Sequence, residues 1–266
     1  LQRDISQLHY FRICQMRNPE EYFLEKYSRQ IIMEQVGVEG QKKINNSAIC
    51  VIGCGGLGTS AAQYLSMSGI GKLVFIDHDT IVLSNLNRQT LFTEKDIGES
   101  KCKVLTKKIK NINKSIAVKY HQRKINENNI DQYIENCSIV LDCTDNFESR
   151  LIINKFCHNK KKILVSAALQ NFDIQAFIFS SWSSNKNPCY KCIFPNLNTT
   201  ENLSCEEMGI IASVAGLGGI IQANLALNYI LNLHNNFKEL ILLDSVKLDI
   251  KKIKIKKNRN CEVCCL

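Results

Sequence analysis

The feature that most constrains this chain is a glycine-rich segment at residues 49–58. Four β-prone apolar residues, 49–52, precede Gly53, Gly55 and Gly58 at the spacing G-x-G-x-x-G, and a helical pattern then covers residues 57–67. This order predicts a strand, a tight turn and a helix. Glycines let the backbone approach a ligand, and free N–H groups at a helix start favour phosphate. The segment therefore indicates a nucleotide phosphate site, with packing alone as the alternative.

Composition limits the possible classes of protein. The chain has 266 residues, of which 45% are hydrophobic and 22% charged, as in a globular α/β protein. Its formal charge of +9 comes from 34 basic and 25 acidic residues, many of the lysines lying in runs such as 160–162 and 251–257. We interpret these runs as a solvated surface, with an acidic protein or a polyphosphate as the alternative partner. We expect neither nucleic acid nor a membrane as a partner.

Cysteine use indicates a reducing compartment. The thirteen cysteines are odd in number, and the first apolar residues are too interrupted by charges for a secretory signal. We expect a cytoplasmic or organellar protein with free thiols. The apolar stretch 209–233 contains four glycines and several amide side chains, which favours a buried helix over a membrane span. Residues 1–19 are expected to form an extension and residues 20–266 a single domain.

A second strand is predicted over residues 72–77 and ends at Asp77. This acid follows Gly53 by 24 residues, where a dinucleotide-binding fold places the carboxylate that accepts hydrogen bonds from a ribose hydroxyl. The alternative is a strand-end acid in a turn with Asp79. At this point an NAD-dependent dehydrogenase and an ATP-using enzyme explain the residues equally well.

The next segments favour ATP. Arg88 and Lys101 bring two cations toward the phosphates, and a triphosphate has charge left to neutralise once the glycine turn has bound a pyrophosphate. Residues 138–146 then predict a strand ending in two aspartates, followed by a helix over 147–158. A carboxylate at such a strand end can hold magnesium against phosphate oxygens. Alternatively, Thr144 or Asp145 caps the helix, and both roles can coexist.

Six segments carry a resemblance to a known family. They are Tyr-Ser-Arg-Gln-Ile at 27–31, Gly-Cys-Gly-Gly-Leu-Gly at 53–58, Asp77, Ser-Asn-Leu-Asn-Arg-Gln at 84–89, Gly-Glu-Ser-Lys at 98–101 and Asp-Cys-Thr-Asp-Asn at 142–146. From about residue 20 to the C-terminus the chain resembles the MoeB/ThiF family, which adenylates ubiquitin-like sulfur-carrier proteins. The resemblance implies a Rossmann-like doubly wound α/β fold, mainly parallel, extended by antiparallel strands and ending in a zinc-tethered C-terminal part.

The resemblance also implies site residues. Those assigned to ATP are Gly53, Gly55, Gly56, Asp77, Ser84, Asn85, Arg88, Lys101, Asp145 and Asn146. Asp145 would also hold magnesium, and Arg29 would reach into the active site of the other subunit of a homodimer. In the implied fold, antiparallel strands cover residues 172–179, 240–244 and 246–255. The helix over 211–233 packs beneath the sheet or at the dimer interface.

Cysteine pairs suggest a metal site. The chain contains two C-x-x-C pairs, Cys189 with Cys192 and Cys261 with Cys264, which can bind a tetrahedral zinc ion. Redox pairs or incidental cysteines can have the same spacing. The resemblance implies a structural zinc, and the x-x spacing favours Cys264 over the adjacent Cys265 as its ligand. It further implies that Cys205 can form a thioester or an acyl-disulfide with the carrier, the alternative being a thiol without a role.

The function expected from the resemblance is adenylation of the C-terminal glycine carboxylate of a β-grasp sulfur carrier, with release of pyrophosphate. Molybdopterin, thiamine and tRNA-thiolation carriers share this chemistry. We expect no rhodanese-like domain after residue 266, which would indicate the fused eukaryotic type. The alternatives are an activating enzyme that forms a thioester through Cys205, an NAD-binding oxidoreductase, and a non-catalytic carrier-binding scaffold.

Overall fold

A computed structural model describes residues 18–134, 136–195 and 209–265. The helices are α1 Pro19–Lys26, α2 Ser28–Ile31, α3 Gly37–Asn45, α4 Gly56–Met67, α5 Lys101–Ile112, α6 Ile130–Ile134, α7 Phe147–Asn159, α8 Tyr190–Ile193 and α9 Ala212–Ile230. The strands are β1 Ala48–Ile52, β2 Lys72–Ile76, β3 Ala117–His121, β4 Ile139–Asp142, β5 Ile163–Gln170, β6 Asp173–Phe179, β7 Glu239–Asp244 and β8 Asp249–Lys254.

The strands of the described residues form one sheet in the order β3-β2-β1-β4-β5-β6-β7-β8. Strands β1 to β5 pair in parallel, whereas β6, β7 and β8 are added antiparallel. The expected parallel sheet with an antiparallel extension is therefore confirmed. The chain order reverses between β1 and β4, and a doubly wound sheet binds its ligand outside the carboxyl ends of the strands at such a point.

Helices cover both faces of the parallel strands, which explains why these strands are continuous apolar runs. One core lies under α4, α5 and α9, and the other lies under α6 and α7. Because β1 is buried from Ile49 to Ile52 between these two layers, the glycine turn that follows it has a rigid base.

The long apolar helix α9 packs on the sheet and not across a membrane. It contacts α4, β5 and β6, which confirms the prediction that it lies beneath the sheet. Within the described ranges, no helix combines the length and apolar character that crossing a membrane requires. Close packing needs glycine here, because a Cβ at Gly219 would overlap the carbonyl oxygen of Leu57 and come within 2.9 Å of the Ser60 Cβ.

Two boundaries differ from the sequence expectation. The apolar spacing over residues 20–44 predicts a helix that breaks near Gly37 and Gly40, but the helical segment breaks over residues 32–36, and both glycines lie within α3. Gly40 serves packing, since a Cβ there would lie 2.9 Å from the Leu231 side chain. The last strand was expected from residue 246, but the Asp244 carboxylate accepts hydrogen bonds from the amides of residues 246 and 247 and holds a turn before β8.

The packing of α9 on α4 can be tested with two glycines of the same helix. We expect Gly219→Ala to lower the free energy of unfolding by about 1–3 kcal/mol, because the added methyl group overlaps the backbone of α4. Gly216→Ala is the matched control, since the nearest atom to its Cβ is the Ser60 Oγ at 3.8 Å. Alanine favours helix over glycine, so this control should be neutral or stabilising by about 1 kcal/mol. Equal effects in urea denaturation would contradict the close approach.

Candidate nucleotide-binding cleft and cysteine cluster

A cleft opens at the carboxyl ends of β1, β2 and β4, where the fold predicts a ligand. Its polar lining comes from six segments: the glycine turn, the end of β2, the segment of Arg88 and Gln89, the start of α5, the residues after β3 and the residues after β4. The predicted site residues that line it are Gly53, Gly55, Gly56, Asp77, Arg88, Lys101, Asp145 and Asn146. The structure thus brings most of the predicted nucleotide residues to one cleft.

The glycine turn has its shape because side chains do not fit there. Gly53 has a φ of +93°, and a Cβ on it would lie 2.6 Å from the carbonyl oxygen of Cys143. A Cβ on Gly58 would overlap the carbonyl oxygen of Gly53, so the first turn of α4 folds directly against the loop. A Cβ on Gly56 would lie 2.9 Å from that of Ala215 in α9. These contacts bring the backbone N–H groups at the start of α4 to the cleft wall.

Asp77 holds the turn through hydrogen bonds. Its Oδ2 accepts from the Cys54 amide at 2.6 Å, and its Oδ1 accepts from the Asp79 amide at 2.8 Å. Burial raises the pKa of the Asp77 carboxyl, and the nearby Lys101 ammonium acts in the opposite direction. The predicted ribose contact is compatible with this geometry because each carboxylate oxygen can accept a further hydrogen bond.

Lys101 begins α5 and points along the cleft wall. Its side chain is 9% exposed, and its Nζ lies 2.8 Å from the Asp79 Oδ2. Its amide also donates to the Asp79 carbonyl at 3.0 Å. A cation at a helix N-terminus is disfavoured by the helix dipole, and the Asp79 carboxylate offsets this cost. Sequence reasoning assigned Asp79 only to a turn and missed this ion pair.

Arg88 is oriented by the turn before it. Its Nη1 donates to the Ser84 carbonyl at 2.8 Å and to the Asn87 Oδ1 at 3.2 Å. Ser84 and Asn85 belong to the 3₁₀ turn Leu83–Asn85 and are not among the residues that line the cleft. The buried Asn85 accepts a hydrogen bond from the Val82 amide at 3.3 Å. Their direct contact with ATP stays a prediction, and their place here is beneath Arg88.

The cap of α7 differs from the expectation. Thr144 or Asp145 was expected to cap this helix, but the cap is Asn146, whose Oδ1 accepts from the Ser149 amide at 2.9 Å. Thr144 instead donates through its hydroxyl to the buried Asp142 at 2.6 Å. Asp145 therefore does not cap the helix: it is an exposed residue of the cleft wall, and its Oδ1 accepts a hydrogen bond from the Asn146 Nδ2 at 3.3 Å.

A buried ion pair supports the loop that carries Asp145. The Nη1 of Arg150 lies 3.6 Å from the Asp142 Oδ2, and the two side chains are 4% and 1% exposed. Arg150 also donates to the carbonyls of Ala167 and Thr144. These contacts tie the loop after β4 to β5. Asp142 is thus a structural carboxylate, and Asp145 is the one that faces the cleft.

Several cleft residues were not predicted from sequence. Arg123, Lys124 and Ile125 follow β3, a strand whose residues are all exposed or half-buried and which therefore gives a weak hydrophobic signal. Gln89 also lines the cleft and lies next to Arg88 in the segment 84–89 that carries the family resemblance, but it was assigned no role.

Two further predicted residues are not placed in the cleft. Arg29 is exposed on α2 and is not a lining residue. Cys205 lies outside the described residues, so its role stays a prediction.

The two C-x-x-C pairs meet in space. The Sγ atoms of Cys189 and Cys192 are 3.9 Å apart, those of Cys189 and Cys261 are 3.6 Å apart, and those of Cys192 and Cys264 are 3.5 Å apart. All four are buried and lie within 4.8 Å of one another. Cys265 is exposed and contacts the Asn258 carbonyl instead, as the spacing predicted. The cluster joins α8 to the chain beyond β8.

Comparisons with known proteins agree with this architecture. A family model described as the ThiF family matches residues 27–263. The adenylyltransferase and sulfurtransferase MOCS3 of Xenopus laevis is 33% identical over 94% of this chain and 54% of its own length. The sulfur carrier protein adenylyltransferase of Thermus thermophilus is 31% identical over 91% of this chain and 90% of its own length. The chain spans about half the length of the MOCS3 relatives that it matches.

Solved structures give the same fold. The crystal structure of E. coli MccB with ATP has a TM-score of 0.75 at 23% identity, covering 90% of this chain and 74% of that one. The structure of PaaA has a TM-score of 0.73 at 20% identity, covering 91% and 76% of the two chains. At these identities the likeness concerns the fold alone.

The role of the buried ion pair between Arg150 and Asp142 can be tested by removing its cation. We expect Arg150→Met to lower the free energy of unfolding by about 3–5 kcal/mol, because Asp142 would be left as an unpaired buried charge. Lys155→Met is the control, since Lys155 pairs with Glu127 at 3.0 Å on the exposed surface and should contribute about 0–1 kcal/mol. A comparable loss of unfolding free energy in both variants, measured by denaturant titration, would contradict the distinction between the buried and the exposed ion pair.

Proposed function

The chain belongs to the ThiF family, and on that premise we propose that it adenylates the C-terminal glycine carboxylate of a β-grasp, ubiquitin-like sulfur-carrier protein. The observation that carries the proposal is the cleft, in which a glycine turn at a helix start faces two cations, Arg88 and Lys101. Two relatives, from Xenopus laevis and Thermus thermophilus, are named as adenylyltransferases. The name of the Thermus thermophilus protein specifies a sulfur carrier protein.

The proposed chemistry is attack of the carrier carboxylate on the α-phosphorus of ATP. The carboxylate oxygen forms the new bond as the bond to pyrophosphate breaks, which gives an acyl adenylate and pyrophosphate. No general base is needed because a C-terminal carboxylate is ionised at neutral pH. The protein would act by positioning the reactants and by stabilising charge on the phosphates.

The residues divide this work. In the proposal Gly55 and Gly56 offer backbone N–H groups to the phosphates, and Asp77 binds the ribose. Gly53 shapes the turn, because its own amide donates to the Ile76 carbonyl at 2.9 Å. Lys101 and Arg88 balance the phosphate charge. Asp145 fits a magnesium site because its carboxylate is exposed in the cleft wall, and magnesium usually binds one or two carboxylates together with substrate phosphates. When bound, magnesium would neutralise part of the phosphate charge.

Further contributions are proposed from residues beside the cleft. Ser84 and Asn85 would support Arg88 from the turn beneath it, and Asn146 would contact the nucleotide while capping α7. Arg29 is exposed on α2 and would act in the cleft of a second copy of this chain, in a homodimer. This arrangement predicts that a mixture of an inactive Arg29 variant and an inactive Lys101 variant regains activity.

The test of the proposed function uses the purified chain with ATP, magnesium and each candidate carrier. Intact mass spectrometry should reveal an adenylate on one carrier, and that carrier names the pathway. The oxidoreductase alternative requires NADH binding, which we expect to be absent while ATP binds. The scaffold alternative requires carrier binding without ATP–pyrophosphate exchange. If no carrier gave ATP–pyrophosphate exchange, the proposal would be refuted.

Lys101 should be essential for the exchange reaction. We expect Lys101→Met to slow carrier-dependent ATP–pyrophosphate exchange by about 100- to 1000-fold, as for other groups that stabilise transition-state charge. Lys103→Met is the matched control, because Lys103 lies on the same helix but is exposed and pairs with Glu99 at 2.8 Å. Its exchange rate should match that of the unaltered protein. A similar loss in both variants would show that Lys101 has no special role.

We propose that the cysteine cluster holds a structural zinc. A tetrahedron with Zn–S bonds of about 2.3 Å places sulfur atoms ~3.8 Å apart, close to the observed 3.5–3.9 Å. The ligands would be Cys189, Cys192, Cys261 and Cys264, which together fill all four positions of a tetrahedral ion. When bound, the ion would tie the chain beyond β8 to α8, and it would supply no catalytic water.

The zinc proposal predicts a contrast between neighbouring cysteines. Cys192→Ser should release the metal and lower the melting temperature, because structural zinc contributes directly to folding free energy. Cys265→Ser should keep both, since this exposed thiol lies outside the cluster. Metal content is read by elemental analysis and stability by calorimetry. Unchanged zinc content in the Cys192 variant would refute the assignment.

A further inference from the structure

Asn154 is a buried amide of α7 that lies beside the cysteine cluster. The residue is 2% exposed, and its Oδ1 accepts a hydrogen bond from the Tyr190 amide at 2.9 Å. Because a backbone N–H can only donate, this bond fixes the orientation of the side chain, with the oxygen toward Tyr190 and the nitrogen at the other position. Within the described part of the chain, that nitrogen, Nδ2, is buried without a hydrogen-bond partner.

An unsatisfied buried donor needs an explanation. Such a group has lost its hydrogen bonds to water without replacement, and folded proteins retain few of them. The bond to Tyr190 uses only the oxygen of the amide, and an aspartate would accept the same N–H without leaving a donor unsatisfied. The nitrogen of Asn154 therefore indicates an acceptor that the fold alone does not complete.

The sulfur of Cys189 can be that acceptor. Cys189 precedes Tyr190 in the chain and is fully buried. The Cys192 thiol raises the pKa of Cys189, and the Asn154 side chain acts in the opposite direction, so the amide lies within range of the Cys189 sulfur. A protonated thiol is a weak acceptor, whereas a thiolate accepts charge-assisted hydrogen bonds. The sulfur can therefore satisfy Nδ2 once it is deprotonated, as a cysteine is when it binds a metal.

We infer that Asn154 is a positioning residue of the metal site, whose Nδ2 donates a hydrogen bond to the Cys189 sulfur when that sulfur binds the metal. The inference rests on the zinc proposal above and adds to it a residue outside the four ligands. Four thiolates carry more negative charge than one zinc ion neutralises, so a donor directed at a sulfur stabilises the bound state. Since α7 packs on β4 and β5, the same amide links the cluster to the parallel strands.

The test separates the two contacts of the amide with two variants. Asn154→Asp keeps an oxygen for the Tyr190 N–H but replaces the donor with a second oxygen, and Asn154→Leu removes both contacts. We expect the zinc affinity of both variants to fall about 10- to 100-fold, as is usual when the partner of a metal ligand is lost. The affinity is measured by competition with a chelator at pH 8, where an ordinary carboxyl is ionised. Asn159→Asp is the matched control, because it adds the same charge at an exposed position of α7, and its zinc affinity should be unchanged.

A spectroscopic measurement distinguishes a hydrogen bond to sulfur from a general loss of stability. Cobalt bound in place of zinc gives a sulfur-to-metal charge-transfer band, and a hydrogen bond to the sulfur lowers the energy of its lone pairs. The band of both Asn154 variants should therefore lie at longer wavelength than that of the unaltered protein. The band of the Asn159 variant should not move.

The outcomes separate the inference from the zinc proposal. Unchanged zinc affinity in both Asn154 variants would overturn the inference and leave the zinc proposal intact. A loss of affinity in Asn154→Leu alone would also overturn it, because the amide would then act only through Tyr190. The same holds for a loss of affinity without a shift of the cobalt band. Absence of zinc from the unaltered protein would overturn the zinc proposal and this inference with it.

Discussion

The hydrogen bond from the Cys54 amide to Asp77 is the contact on which the cleft depends. At 2.6 Å it joins the glycine turn after β1 to the end of β2, and a buried bond of this charged kind contributes about 1.5–3 kcal/mol. On the other side, the carbonyl oxygen of Cys143 leaves no room for a side chain at Gly53. The turn is thus fixed between the ends of two neighbouring strands. One carboxylate orients the backbone that we propose binds phosphate, and the same carboxylate is the group proposed to bind the ribose.

Two ion pairs near the cleft, Arg150 with Asp142 and Lys101 with Asp79, differ in how exposed their carboxylates are. The difference decides which cation can exchange its protein partner for a ligand. Arg150 and Asp142 are 4% and 1% exposed, so neither can change partner without leaving a buried charge. Lys101 is 9% exposed, but its partner Asp79 is 48% exposed and can turn to water at little cost. An incoming phosphate can therefore replace Asp79 as the partner of Lys101. The fold keeps this cation in place before any ligand arrives, which is the preorganisation that charge stabilisation requires.

The sequence predicts the centre of the fold better than its edges, for a physical reason. Strand β1 and helix α4 were expected within one residue of where they lie, because burial on both faces and the glycine spacing give strong signals. Strand β3 carries polar residues at the sheet edge, so the cleft residues after it were missed. The cap at Asn146 depends on which of three adjacent polar residues turns toward the helix, and Asp142 decides this by binding Thr144.

The long separation of the two cysteine pairs follows from the antiparallel extension of the sheet. The first pair follows β6 and the second follows β8, so the 68 residues between them include α9 and the β7–β8 hairpin. All six residues of β8 are exposed, and β8 is the last strand of the sheet, so little apolar burial holds it in place. With the proposed zinc bound, the buried four-cysteine cluster just beyond β8 would take the place of a hydrophobic core, because thiolate–zinc bonds need only four side chains where a hydrophobic contact would need many. Loss of the metal should therefore loosen β7 and β8 first and leave β1, the glycine turn and Asp77 in place. Hydrogen exchange of the chelator-treated protein would show faster exchange confined to that hairpin, whereas faster exchange in β1 would contradict this order.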